Sequence, residues 1–594
     1  MKITRSRIIA AIAFLCLLAG SLEIYDPVTP KDAGTVLRAI EEKTELPVSD
    51  WVEAITGTPI PQTAVRKPYA PGTVGAAMEK MVEEKEVAEA AKERITLKSI
   101  QFQGVTILGD MELKGIVEPY IGIPMSYEQM LEIGMTVESY YRQNNYLARV
   151  ILPPQDLTEG VLLVDVIESV FSKIEIEQEL ADLPNTQAHV TALIEAQQKP
   201  GDPLNTKSLD RALALANDVP GMSVQGSLRQ GRDPGETELL LKLYQGRTRQ
   251  EELTFDNGGS RSTGVLRTLI SVNWFNPSDL GDLINIVAVH TSGSNYARLA
   301  YSLPVGTDGW RMAVNVSAMS YEVVVGEQGM VGAVGRAVTQ GLEWVYPLLR
   351  ADDRSATVTL TADNKKFQNT SAQGLLMSDY EAKVMAAQVS GFYRDLNPGG
   401  GTGTYSLQLS HGGINLDGSL SQQTDATTVH TEGVFNKIRL NGSWQQALTT
   451  QTSAFVSFTG QLSDKNLDSS EKMQLGGMNG VRAYPTGEGS GSDAQLIQLE
   501  LRQQLESGIN MAAFYDWGQV WLQHDPSYPG GPMHNRNTYK GFGASIGYTF
   551  EDGLNIKATW ARKQGNNPNP TQTGNDQDGT RDRNRYWLQV TLPF

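Results

Sequence analysis

Hydrophobic and polar positions follow three different rhythms along the chain. From 246 to 594 short runs alternate with a period of two. In 265–274, Leu266, Thr268, Ile270, Val272 and Trp274 share one face, and Arg267, Ser271 and Asn273 share the other. In 437–444, Ile438, Leu440 and Trp444 oppose Lys437, Arg439, Asn441 and Ser443; in 496–504, Ile497, Leu499 and Leu501 oppose Gln498, Glu500, Arg502 and Gln504. A period of two sends successive side chains to opposite faces of a strand. Sixteen candidate strands result, beginning near Gln250, Thr263, Leu283, Asn295, Arg311, Gly335, Ser355, Tyr380, Gly403, Asn436, Ser453, Ala494, Ile509, Tyr539, Leu554 and Arg585. A soluble sandwich alternates in the same way, so alternation alone does not decide between sandwich and barrel. Three features favour a membrane barrel of about 16 antiparallel strands over 246–594: the even count, the turns and the last strand. Tight turns such as Glu551-Asp552-Gly553 contrast with long polar stretches at 364–379, 411–434, 463–493, 521–538 and 564–584. With the first strand starting in the periplasm, those stretches lie outside the cell. The last strand is apolar at Tyr586, Leu588, Val590 and Leu592 and ends on Phe594, which reads as a barrel's C-terminal signal.

Between 95 and 245 the pattern predicts two copies of a small β-α-α-β-β unit, 95–169 and 170–245. The first has strands at 96–105, 148–152 and 160–168 and helices at 111–120 and 127–144. The second has strands at 172–176, 223–229 and 236–244 and helices at 186–197 and 206–217. Repetition of a unit is an organisational signal. A single α/β enzyme domain is the alternative. Neither copy has a Gly-rich phosphate loop or clustered His, Asp and Glu.

Residues 22–94 form the third zone. Residues 31–44 predict a short helix with Val36, Leu37 and Ile40 as its apolar stripe and Asp32 as its N-cap. From pattern alone this is a surface helix. Pro47, Pro59, Pro61, Pro68 and Pro71 mark an extended linker, and 76–94 predicts a charged, solvated helix. Upstream, Lys2, Arg5 and Arg7 precede the uncharged run 8–19 and the small residues Ala19-Gly20-Ser21, the pattern of a secretory signal peptide over 1–21.

Composition changes this picture in two places. The hydrophobic fraction of 40% argues against a helical membrane protein, but half-apolar barrel strands produce such a value. The single cysteine, Cys16, falls in the leader, which excludes a disulfide scaffold or a Cys-rich zinc site in the exported chain. A net charge of −17 argues against a nucleic-acid partner. The six histidines are scattered and no Ser/His/Asp spacing stands out, so no catalytic residue, metal ligand or cofactor is assigned.

The sharpest chemistry lies in the longest polar stretch: Leu475-Gly476-Gly477-Met478-Asn479-Gly480-Val481-Arg482-Ala483-Tyr484-Pro485. On the strand near 509–520, Phe514, Asp516 and Gly518 share a face. Arg482 offers a fixed fork of donors, and an inward Asp516 accepts such a fork bidentately. On chemistry alone, an exposed Arg482 and an Asp516 that merely wets the pore are equally compatible.

These residues carry a resemblance that spans almost all of the chain beyond the leader. The chain resembles the two-partner secretion transporters of the haemolysin and haemagglutinin secretion-activation type. DAGTVLRAIEE at 32–42 is similar to the family's plug helix. NYLARVILPPQDLTEGVLLVDVIE at 145–168 and LNTKSLDRALALANDVPGMSV at 204–224 resemble its two periplasmic POTRA domains, and DNGGSRSTG at 256–264 the opening of its barrel. GGMNGVRAYP resembles the family's pore-loop motif. Ala483 and Asn145 stand where the family usually has glycine.

The resemblance implies that Arg482 and Asp516 pair inside the pore, with Tyr484 and Gly518 beside them and Gly476, Gly477, Val481 and Pro485 shaping the loop. It implies an outer-membrane transporter, not an enzyme, that receives an unfolded exoprotein on its POTRA domains. The implied partners are a large secreted protein of adhesin, haemolysin or contact-dependent toxin type, outer-membrane lipid and the barrel assembly machinery. An outer-membrane barrel assembly or insertion factor is the alternative. A passive porin would not need two periplasmic domains.

Overall fold

The computed structural model describes residues 32–44, 94–178, 182–326, 331–397, 399–505 and 508–594. The expected signal peptide, the expected Pro-rich linker and the helix expected at 76–94 lie outside the described residues, apart from Arg94.

Sixteen antiparallel strands close into a barrel. They run Arg249–Asp256, Arg267–Phe275, Leu283–Thr291, Ser294–Val305, Trp310–Glu322, Val334–Arg350, Ser355–Thr370, Leu376–Arg394, Gly401–Asn415, Gly433–Ala447, Thr452–Ser463, Asp493–Gln504, Ile509–Trp521, Arg536–Thr549, Asn555–Lys563 and Asn584–Pro593. The last strand closes on the first from Gln589 opposite Asp256 to Pro593 opposite Glu252. One residue beyond, the Phe594 backbone N–H donates to the Glu251 carbonyl at 3.1 Å.

The alternation falls as the pattern requires. Lys437, Arg267 and Asn273 are buried inside, while Ile270, Ile286, Leu299, Leu342, Leu409 and Leu440 are exposed on the outer wall. Aromatic residues gather near the short turns: Trp310 stacks on Tyr346 at 4.5 Å and Tyr548 meets Phe550 edge-on at 4.5 Å. An outward apolar band with aromatic girdles is what a lipid-facing barrel wall demands.

The expected long loop at 364–379 is corrected. The seventh strand continues to Thr370 and the eighth starts at Leu376, leaving a turn at 371–375. The run is polar because its inward residues serve a crowded lumen. Lys365 is buried there, and Phe367 stacks on Tyr380 at 4.8 Å.

What fills that part of the lumen is helix α1 (Ala33–Thr44). Asp32 caps it, accepting from the Thr35 backbone N–H at 2.8 Å. Val36, Leu37 and Ile40 are buried against Tyr296, Met319, Phe367, Tyr380 and Phe435 of the barrel wall. The surface position expected from pattern alone is therefore corrected. The polar residues of α1 face charges rather than water: Glu42 lies 3.5 Å from Arg439 and Glu41 3.8 Å from Lys365.

The described residues of 94–246 build two three-stranded sheets with the same topology, besides a short pairing of Ile95–Thr96 with Pro124–Met125. Ser99–Gln103 runs parallel to Val161–Glu168, which pairs antiparallel with Ala148–Ile151. Val170–Gln178 likewise runs parallel to Glu236–Gln245, which pairs with Met222–Gln230. Each sheet covers two helices, Asp110–Val117 and Tyr127–Gln143 in the first, Pro184–Gln197 and Thr206–Asn217 in the second. Asn145 adopts φ +64°, a left-handed conformation that explains the glycine common there and that asparagine tolerates. Its carbonyl accepts from the Thr206 backbone N–H at 2.8 Å, tying the two units together.

Candidate functional site

The loop 464–492 turns back into the barrel, and its backbone forms a tight fold of its own. The Val481 N–H donates to the Leu475 carbonyl at 2.7 Å, and the Gly477 N–H to Tyr484 at 3.1 Å. Two glycines permit this. Gly477 sits at φ +118°, and a Cβ on Gly480 would stand 1.9 Å from the Leu475 carbonyl oxygen. Gly476 bridges to Val481, and the Pro485 carbonyl receives the Glu488 N–H at 3.2 Å, so all four predicted loop-shaping residues meet in this fold.

The fold delivers Arg482 to the inner wall. Its Nε and Nη2 donate to Asp516 Oδ2 and Oδ1 at 2.9 and 2.6 Å, and its backbone N–H adds a third bond to Oδ2 at 3.0 Å. Nη1 donates to Glu500 at 2.6 Å. The guanidinium lies 3.4 Å above the Phe514 ring, and the Trp587 indole donates to the Arg482 carbonyl at 2.8 Å. Asp516 is fully buried, so its charge is neutralised by Arg482 rather than by water. This is the bidentate, charge-assisted pairing that arginine makes and lysine does not.

The neighbouring predicted residues pack around the pair. Tyr484 meets Tyr539 edge-on at 4.9 Å, with the Lys563 ammonium 5.1 Å from its ring. Gly518 leaves the space that Val481 and Leu475 occupy; a Cβ there would be 3.0 Å from Val481. Ala483 takes no left-handed backbone, so the alanine is accommodated. Its methyl instead faces Gly541, where an added Cβ would come within 2.5 Å of it. Gly541→Ala is therefore expected to displace the loop at a cost of about 1–3 kcal/mol. Protease sensitivity of 464–492 should rise in that variant and return to the parent level when Ala483→Gly is added.

Several participants were missed from sequence. Glu500 and Trp587 lie on inward faces, and for Glu500 the alternation already showed it. The Asp256–Arg267 pair, at 2.8 and 2.7 Å, sits where the barrel opens and carries Met478 of the loop tip against Arg267 at 3.6 Å. The buried Glu488 joins the loop to 564–583: it accepts from Asn567 at 2.9 Å and from the Gln577 backbone at 2.8 Å. Burial, and after it the Asp576 carboxylate, push Glu488 up to about 7. A carboxyl raised in the folded state holds best when protonated. The join should weaken roughly tenfold per pH unit as pH rises from the ordinary carboxylate range to about 7, and no further above it. Hydrogen exchange of 564–583 measured from pH 5 to 8 checks this, and Glu488→Gln should flatten the profile.

With this geometry established, comparison with known proteins is decisive. The model of the haemolysin secretion/activation protein family, ShlB/FhaC/HecB, matches residues 235–549. The chain belongs to that family. A POTRA domain of the ShlB type matches 95–169. Among relatives, the heme/hemopexin transporter protein HuxB of Haemophilus influenzae is 23% identical over 490 residues, 81% of this chain and 84% of its own. The outer membrane transporter CdiB of Dickeya dadantii is 24% identical over 423 residues, 69% of this chain and 72% of its own. The solved structure of CdiB from Escherichia coli superposes with a TM-score of 0.71 at 19% identity, covering 95% of this chain and 99% of that one. This member of the haemolysin secretion/activation family is thus an outer-membrane transporter of the two-partner secretion type, with its POTRA domains in the periplasm, and its partner is an exoprotein.

Proposed function

We propose that this transporter captures one large unfolded exoprotein on its POTRA domains, passes it through the barrel and releases it to fold outside, without catalytic chemistry of its own. The single observation that carries the reading is a pore loop seated on the inner wall by Arg482 and Asp516, in a barrel whose lumen also holds α1. In this reading Arg482 and Asp516 lock the loop, with Tyr484 and Gly518 packing it, and α1 plugs the pore at rest. Each three-stranded POTRA sheet ends in two edge strands, and an extended client adds a strand to such an edge through backbone hydrogen bonds. Surface folding of the client supplies the direction. The exoprotein is of adhesin, haemolysin or contact-dependent toxin type. The apolar outer wall meets outer-membrane lipid, and Phe594 is the residue read by the barrel assembly machinery.

Deleting this chain tests the reading. The expected result is loss of a single secreted protein from the medium with other outer-membrane barrels at normal abundance. A general loss of barrels would instead mark an assembly factor.

A further inference from the structure

The loop that carries Arg482 also grips α1. Ser469 Oγ donates to both carboxylate oxygens of Asp32, each at 2.8 Å. Gln474 Nε2 donates to the Thr35 carbonyl at 3.2 Å. Gly34 lies so near that an added Cβ would stand 2.6 Å from Ser469 Oγ and 2.8 Å from the Ser470 backbone nitrogen. Glu471, buried in the lumen, pairs with Lys437 at 2.5 Å and Lys365 at 3.3 Å, and Lys365 reaches across to Glu41 of α1.

A short ribbon joins this grip to the Arg482 seat. Met473 and Gln474 pair with Gly491 and Ser490. Next along, the Leu475 N–H donates to the Gly489 carbonyl at 3.2 Å and the Gly476 N–H to Glu488 at 2.9 Å. Leu475 then receives the Val481 N–H, one residue before Arg482. The ribbon is hydrogen-bonded throughout, so the loop has little slack between its two attachments.

We propose that this loop is the latch of α1: undocking of Arg482 from Asp516 draws Ser469, Glu471 and Gln474 off the helix, so that release of the loop and release of the helix are one event. The inference rests on the reading of α1 as a plug and of the Arg482 pair as a lock, and adds that the two are coupled. The physical reason is charge. When Glu471 leaves, Lys365 and Lys437 lose a shared buried counter-ion, and a buried charge without its partner is strongly disfavoured. Asp32 loses its Ser469 donor in the same motion. The helix then keeps its apolar stripe, the bond from the Ala33 N–H to Asn369 at 2.9 Å and the pairs of Glu41 with Lys365 and Glu42 with Arg439, a weaker hold than with the loop in place.

The test places a thiol on the buried stripe of α1 by Val36→Cys in a Cys16→Ser background. Polymer-linked maleimide is then added to the full-length protein in proteoliposomes, and heat-modifiable gel mobility selects folded barrels. Asp516→Asn, which leaves α1 and its contacts chemically intact, is expected to accelerate labelling at least tenfold. Glu471→Gln, which acts at the other end of the loop, is expected to do the same. Labelling at the parent rate in folded Asp516→Asn barrels overturns the coupling. Secretion assayed on the same variant separates the two readings. Reduced secretion with unchanged labelling sinks the coupling and leaves the lock, whereas parental secretion with unchanged labelling sinks both.

Discussion

Arg482→Ala is expected to lower exoprotein secretion more than tenfold while the barrel still inserts into the outer membrane. Removing the guanidinium takes away both side-chain donors to Asp516 and the contact to Glu500 at once. Asp516 is then left charged and fully buried, which costs about 3–5 kcal/mol when one partner of a buried pair is deleted. The stacking on Phe514, worth up to about 2 kcal/mol when desolvated, is lost with it. A loop released from its seat stays tethered at 463 and 493 in the lumen the client must cross. Arg482→Lys should rescue poorly, because one ammonium cannot reproduce a fork shared between two carboxylates. Immunoblots of the medium report secretion, and heat-modifiable mobility of the barrel reports insertion. Loss of insertion would assign the pair a folding role, and parental secretion would remove the lock from the mechanism.

Deleting residues 32–44 is expected to raise single-channel conductance in planar bilayers several-fold. A helix with side chains is about 10 Å across, enough to occlude much of a sixteen-strand lumen. Val36, Leu37 and Ile40 are buried, and each contributes roughly 1.5–3 kcal/mol to keeping α1 in place. The intact protein should therefore show a mostly closed state with rare large openings, and the truncated protein a steady open one. Unchanged conductance would mean that ions already bypass α1, and the plug reading would fail.

The barrel was legible because period-two alternation is local. Inward and outward faces are written into every run of six to ten residues, and each candidate start lies within four residues of its strand. The one long stretch misread, 364–379, shows where that legibility ends. A polar run reads as a loop unless one knows that its inward side chains meet something, here α1 and Glu471. The same blindness affected α1, whose amphipathic pattern says that one face is covered but not by what. Arg482 and Asp516 were visible as chemical types. Their pairing across 34 positions is a tertiary fact that spacing alone does not encode. Glu471 and Glu488 went unnoticed because a single carboxylate in a polar stretch looks like a solvated one, and Asp256 was seen only as part of the barrel-opening motif, without its Arg267 partner.

The strands of this barrel are unequal, and that has a consequence at the cell surface. The first three have 8, 9 and 9 residues, and the sixth to ninth have 17, 16, 19 and 15. At about 3.3 Å per residue and a tilt of about 40° the longest rises roughly 45–50 Å, against an apolar band about 25 Å tall. One flank therefore carries its hydrogen-bonded strands well beyond an apolar band of that height, while the strands of the other flank do not. A polypeptide leaving this pore meets tall strand backbone on one side and the folded loops 464–492 and 564–583 on the other, so the emerging client encounters a mouth with a front and a back.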